Sequence, residues 1–105
     1  MARGRLLVDT RSADALRRDG AIPGALHVPR TVLEWRVDAN SGDQSPAISG
    51  REHDLILICE HGYSSSLAAA TLHDLGYTGT TDVIGGFEAW AADGLPVTRA
   101  EDIGS

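Results

Sequence analysis

Residues 55–72 read Leu55-Ile56-Leu57-Ile58-Cys59-Glu60-His61-Gly62-Tyr63-Ser64-Ser65-Ser66-Leu67-Ala68-Ala69-Ala70-Thr71-Leu72. The four consecutive apolar residues Leu55 to Ile58 predict a buried strand. A short polar loop then enters a helix expected from Ser65 or Ser66 to Leu75, with Leu67, Thr71, Leu72 and Leu75 on one face and Gly76 in the C′ position. Strand, tight loop and helix in that order form the repeating unit of a parallel α/β sheet. Three further apolar runs fit the same scheme: Leu6 to Asp9, Ala25 to Val28 and, more weakly, Asp82 to Ile84. Ser12 is placed to cap a helix over Ala13 to Asp19 that Gly20 stops, and Thr31 with Glu34 reads as a capping box opening a helix through about Val37. A short helix fits Phe87 to Ala92. The expected fold class is therefore α/β, a mainly parallel central sheet flanked by helices.

The 105 residues suit one domain, with a core over about 6–97, a tail over 98–105 and a polar, turn-rich surface excursion from Asp38 to His53. A chain of this size buries roughly 65% of its unfolded surface, so a core forms without metal or disulfide staples. Its single cysteine has no intramolecular partner. The net charge of −6 disfavours nucleic acid and anionic membranes as partners. No apolar run approaches the ~20 residues of a membrane span. After Arg5, Leu6-Leu7-Val8 is cut short by Asp9, well below a signal-peptide core, so a cytoplasmic location is expected. All nine basic residues are arginine, which excludes a Schiff-base lysine.

Ligands of open α/β sheets bind beyond the carboxyl ends of the strands. Here those positions are Thr10-Arg11, Pro29-Arg30, Cys59 onward and Gly85-Gly86-Phe87. Cys59 ends a strand and precedes a loop feeding a helix, an arrangement that aims backbone N–H groups and a positive helix end at one point. A thiol so placed is expected to react as thiolate, with Gly62 supplying the left-handed backbone that a tight loop needs. The competing reading, a small buried hydrophobe at a strand end, describes most free cysteines.

Cys59-Glu60-His61-Gly62-Tyr63-Ser64-Ser65 resembles the active-site loop of the rhodanese domain family, and three more segments resemble its signatures in order. They are Leu7-Val8-Asp9-Thr10-Arg11, the stretch from Gly20 to Pro29, and Asp82 to Trp90 followed by Gly94-Leu95-Pro96-Val97. The resemblance implies a sulfurtransferase of the small single-domain thiosulfate type, with Cys59 as nucleophile and persulfide carrier. Glu60, His61, Gly62, Tyr63, Ser64 and Ser65 would line the anion pocket. From its place after the second strand Arg30 would lend a cation or be a solvated helix-start residue, and the spacing of Asp9 and Arg11 at the end of the first strand reads as a buried supporting pair. The resemblance also implies a small-molecule sulfur donor, a thiol or cyanide acceptor, no cofactor and no metal. A sulfur-carrying or regulatory module without turnover is the alternative.

Two departures stand out. Many loops of the family carry arginine where this chain has Glu60 or Ser64, and Glu60 would repel an anionic donor. The family's usual strand and helix before the segment matching Leu6 would not fit in five residues, leaving a sheet edge to be covered by the Asp38 to His53 excursion or by a second subunit in a homodimer. Phosphate ester hydrolysis on such a loop needs Cys-x5-Arg, and Ser65 stands at that arginine position. The four histidines lack metal-ligand spacing, Gly85-Gly86 reads as a tight turn, Trp90 and Phe87 as core anchors, and Trp35 and Arg36 as rim residues.

Overall fold

The structure, a computed structural model, describes residues 5–98. Four parallel strands, β1 (Leu6–Asp9), β2 (Leu26–His27), β3 (Leu55–Ile58) and β4 (Thr81–Asp82), lie in the order β2-β1-β3-β4. Helices α1 (Ala13–Asp19), α2 (Leu33–Val37), α3 (Tyr63–Asp74) and α4 (Gly86–Ala92) connect and follow them. The two central strands run in register, Leu6 opposite Leu55 through Asp9 opposite Ile58. Successive residues point to opposite faces, and each face has its own core. Val8, Leu55 and Leu57 pack with Leu33 and Val37 of α2 and with Ala68, Ala69 and Leu72 of α3. Leu7 and Ile58 pack on the other face with Ile22 and with Phe87 of α4. Covering both faces is why β1 and β3 read as unbroken apolar runs.

Several local expectations change. Helix α3 begins at Tyr63, two residues before the earlier of the expected starts, and buries Ser65, Ala68, Ala69 and Leu72 while Leu67 and Leu75 stand at 52% and 46% exposure. The small residues let α3 lie close to the sheet, and of the expected stripe only Leu72 belongs to its inner face. Its far end closes as expected: Gly76 N–H donates to His73 O and Tyr77 N–H to Leu72 O, both at 2.9 Å, with Gly76 at φ 103°. The Thr31–Glu34 capping box does not form. Pro29 starts a 3-10 turn over Arg30–Val32, α2 follows without a side-chain cap, and the Glu34 carboxylate accepts from Arg30 Nη1 at 2.6 Å instead.

The Asp38 to His53 excursion is more than surface. Ile48 is fully buried in the core beside α2, and Ser45 is buried with its N–H on Arg36 O at 2.8 Å. The excursion approaches the β2 edge, where Leu26, Val28, Val32, Arg36, Ser45 and Pro46 help to line a cavity of about 380 Å³. At the opposite edge, Arg5 donates to Gly79 O at 3.2 Å and Thr81 Oγ1 at 3.1 Å. Thr98, expected in the tail, forms an antiparallel bridge with Ala21, and residues 99–105 of that tail lie outside the described residues. No helix among the described residues is long and apolar enough to cross a membrane.

Candidate active site

The strand ends converge through backbone bonds. Thr10 donates to Ile58 O from both its N–H (2.8 Å) and its hydroxyl (3.0 Å), Arg30 N–H reaches Thr10 O at 3.0 Å, and Val83 N–H reaches Leu57 O at 2.9 Å. Cys59 leaves β3 at this convergence and is 5% exposed. Its Sγ accepts the N–H of Gly62 at 3.1 Å and that of Ser65 at 3.2 Å. The thiol donates to Ser65 Oγ at 3.3 Å, and that hydroxyl donates to Gly62 O at 3.3 Å. When the sulfur is anionic the same hydroxyl can turn its proton onto it. Ser65 is fully buried, so this cradle is shielded from water. Gly62 caps α3 at φ 92°, and the twelve-residue helix directs its positive end toward the sulfur.

The cradle is held from below by α4. Phe87 N–H donates to Cys59 O at 2.6 Å and Glu88 N–H to Glu60 O at 2.9 Å. A Cβ on Gly86 would lie 2.4 Å from Cys59 O and 2.6 Å from Gly62 N, and one on Gly62 would lie 2.7 Å from Gly85 N. The Gly85-Gly86 pair is therefore more than a turn, since it lets the second loop sit directly against the first. Two adjacent glycines opening a helix were the sequence signal for this contact.

Beneath the loop lies a buried charge cluster. Arg11 grips Asp9 through Nε (3.1 Å to Oδ1) and Nη2 (2.8 Å to Oδ2), donates from Nη2 to Gly20 O at 2.9 Å, and places its guanidinium 3.7 Å over the Phe87 ring. His27 Nε2 is 2.7 Å from Arg11 O. The supporting pair expected from sequence thus has a third member. Glu60 Oε1 lies 3.9 Å from Arg11 Nη1, and both atoms are buried without a hydrogen-bond partner.

Glu60 therefore faces Arg11. His61 is exposed, its Nδ1 3.0 Å from Glu88 Oε2. Tyr63 (75% exposed) and Ser64 are exposed at the start of α3. Arg30 has its guanidinium on Glu34, and Arg36 donates to Asp43 O at 2.9 Å. Trp35 is exposed, and Trp90 donates from its ring N–H to Pro96 O at 2.8 Å. Glu88 is the loop partner that sequence reasoning missed, while Gly86, named there among the strand-end positions, was read only as part of a tight turn. Among the described residues no group of three His, Cys, Asp or Glu side chains is placed to hold a metal ion.

Residues 1–93 match the family model of the rhodanese-like domain. A sulfurtransferase of Allochromatium vinosum is 32% identical over 96 residues, covering 91% of this chain and 80% of that protein. The thiosulfate sulfurtransferase GlpE of Pseudomonas savastanoi pv. phaseolicola is 34% identical over 89 residues, covering 85% and 74%. Among solved structures, a Rhodopseudomonas palustris protein of unknown function, described as a possible tyrosine phosphatase, has a TM-score of 0.82 at 33% identity, covering 90% of this chain and 71% of that one.

Proposed function

The chain belongs to the rhodanese-like domain family, and from that membership we propose a sulfurtransferase that carries a sulfane sulfur on Cys59. The Cys59 thiolate attacks the outer sulfur of a donor such as thiosulfate. The donor's S–S bond breaks, its electron pair leaves with sulfite, and Cys59 retains the sulfur as a persulfide. A thiolate or cyanide then attacks that outer sulfur, and Cys59 departs as thiolate. Both steps are displacements at sulfur with electrons balanced within each, and together they predict ping-pong kinetics.

The observation that carries this reading is the cradle around Sγ: two amide N–H groups and a buried hydroxyl focused on one strand-end sulfur. Fixed dipoles of this kind stabilise negative charge on the nucleophile and on the persulfide without reorganising. Reduced protein incubated with donor is expected to gain one sulfur, ~32 Da by intact mass, as covalent catalysis through Cys59 requires. Cys59→Ser is expected to gain none, and a wild-type protein that gains none refutes the proposal.

One observation favours a carrier or regulatory module as the second reading: Glu60, an acid beside the nucleophile in a loop without arginine. Steady release of sulfite in the presence of acceptor supports the enzyme, and a single stoichiometric burst supports the carrier. Phosphate ester hydrolysis is disfavoured. The position that would hold the phosphate-gripping arginine is Ser65, buried and engaged with Sγ.

A further inference from the structure

We infer that the cavity at the β2 edge binds a small organic carboxylate, an apolar body with one anionic head, at a place separate from the cysteine loop. Its volume of about 380 Å³ falls in the range of small-molecule sites, and its walls have the make-up of such sites, apolar surface with a few fixed polar groups. β2 and the turn after it supply Leu26, Val28, Pro29 and Val32, and the excursion supplies Pro46 and Ala47. None of residues 59–66 of the cysteine loop lines it.

Three polar groups of this cavity still have hydrogen bonds to give. The first is the Arg36 guanidinium, which is half-buried, donates from Nη1 to Asp43 O at 2.9 Å and forms no ion pair among the described residues. The neighbouring carboxylates are engaged elsewhere: Glu34 by Arg30 at 2.6 Å, and Asp38 by the Asn40 N–H at 2.9 Å and the Tyr77 hydroxyl at 3.1 Å. The second is Ser45, 5% exposed. Its N–H is on Arg36 O and its carbonyl accepts from Ile48 and Ser49, so the hydroxyl is the polar group it has left for the cavity. The third is the backbone of His27. Val28 N–H donates to Asp9 O at 3.0 Å, and bonds alternate along a parallel strand, so the His27 N–H and C=O face away from β1 toward the open edge.

These groups favour one ligand chemistry. A guanidinium fork matches the two oxygens of a carboxylate, and its charge is otherwise unanswered here. The apolar walls disfavour a bare inorganic anion, which would lose hydration without compensation, and suit a carbon body instead.

The test titrates isotope-labelled protein with hexanoate, with hexanol, which lacks the head, and with acetate, which lacks the body, reading amide chemical shifts. Hexanoate is expected to shift the amides of His27, Ser45 and Ala47 and to bind roughly tenfold tighter than either comparator, the fold-change of a charge-assisted hydrogen bond. Arg36→Gln is expected to weaken hexanoate by a similar factor and leave hexanol unchanged, and Cys59→Ser to leave both unchanged. Hexanoate binding no tighter than hexanol or acetate overturns the inference, as do an absence of shifts, shifts centred on residues 59–66, or loss of binding in Cys59→Ser. Unchanged hexanoate affinity in folded Arg36→Gln overturns it too. If that variant fails to fold, the three probes on wild-type protein and the location of their shifts decide.

Discussion

Gly62 and Gly86 meet with no space for a side chain between them: a Cβ on Gly86 would stand 2.6 Å from Gly62 N and 2.4 Å from Cys59 O. Gly86 also has φ 62°, a backbone conformation that side chains resist. Gly86→Ala must therefore push α4 and the cysteine loop apart, breaking the bonds from Phe87 and Glu88 to the loop carbonyls. We expect sulfur loading at Cys59 to fall at least tenfold, together with a stability loss of about 1–3 kcal/mol typical of strained backbone sites. Urea unfolding and mass-resolved loading check both. A variant with wild-type loading would show that the α4 contact does not position the loop.

Ser65 can be separated from the backbone it belongs to. Ser65→Ala keeps the amide on Sγ and the helical position, and removes only the hydroxyl that lies 3.3 Å from the sulfur. Alanine favours the helix and is small, so the fold should survive. Loss of one hydrogen bond to a charged sulfur corresponds to about 1.5–3 kcal/mol, a slowing of roughly tenfold or more. Alkylation of Cys59 by iodoacetamide at neutral pH and sulfur loading from a donor should slow together. Equal rates in the two proteins would leave the hydroxyl a purely structural role.

The parts of this molecule that were legible beforehand are those encoded by neighbours in sequence. The apolar runs of β1 and β3, the Ser12 cap of α1, whose hydroxyl accepts from Ala15 N–H at 3.1 Å, and the Gly76 ending of α3 are all local. Most of the inner face of α3 was not legible, because alanines and a serine carry little hydrophobic signal and, of the leucines that do carry it, Leu72 points inward but Leu67 and Leu75 point outward. Ile48 was lost as one apolar residue in a turn-rich stretch. In the site, the cysteine, the glycine and the serines were readable from loop composition. The direction of Glu60 was not, since its partner Arg11 lies 49 positions away and meets it only because β1 and β3 pair in register.

The Asp9–Arg11 pair should show the asymmetry of buried ion pairs. Both side chains are 2% exposed, so Asp9→Ala strands a guanidinium with only the distant Glu60 carboxylate, Gly20 O and the Phe87 face to hold it. Breaking such a pair from one side costs about 3–5 kcal/mol, whereas replacing both members with apolar residues costs far less. We expect the double variant Asp9→Ala/Arg11→Met to be more stable than the sum of the single losses predicts, by at least about 1 kcal/mol. A urea double-mutant cycle measures this, and additive losses would show that the two charges do not depend on each other.

Glu52 should make part of the stability acid-sensitive, with a definite sign. Hydrogen bonds first from its own backbone N–H and then from the Gln44 side chain hold its carboxyl below the ordinary carboxylate range. The same Gln44 amide donates to Val37 O at 2.9 Å, so the pair ties the excursion to the end of α2. With the folded value depressed, the unfolded chain binds more protons as pH falls, and stability declines with it. The contribution is fully present above the unfolded value near 4.3 and is lost as pH drops through the folded one. The carboxylate is near water, so the effect should stay under about 1 kcal/mol. Unfolding midpoints of wild type and Glu52→Gln should therefore differ at pH 6 and converge toward pH 3. Parallel curves across that range would mean that Glu52 gains nothing from Gln44 in the folded state.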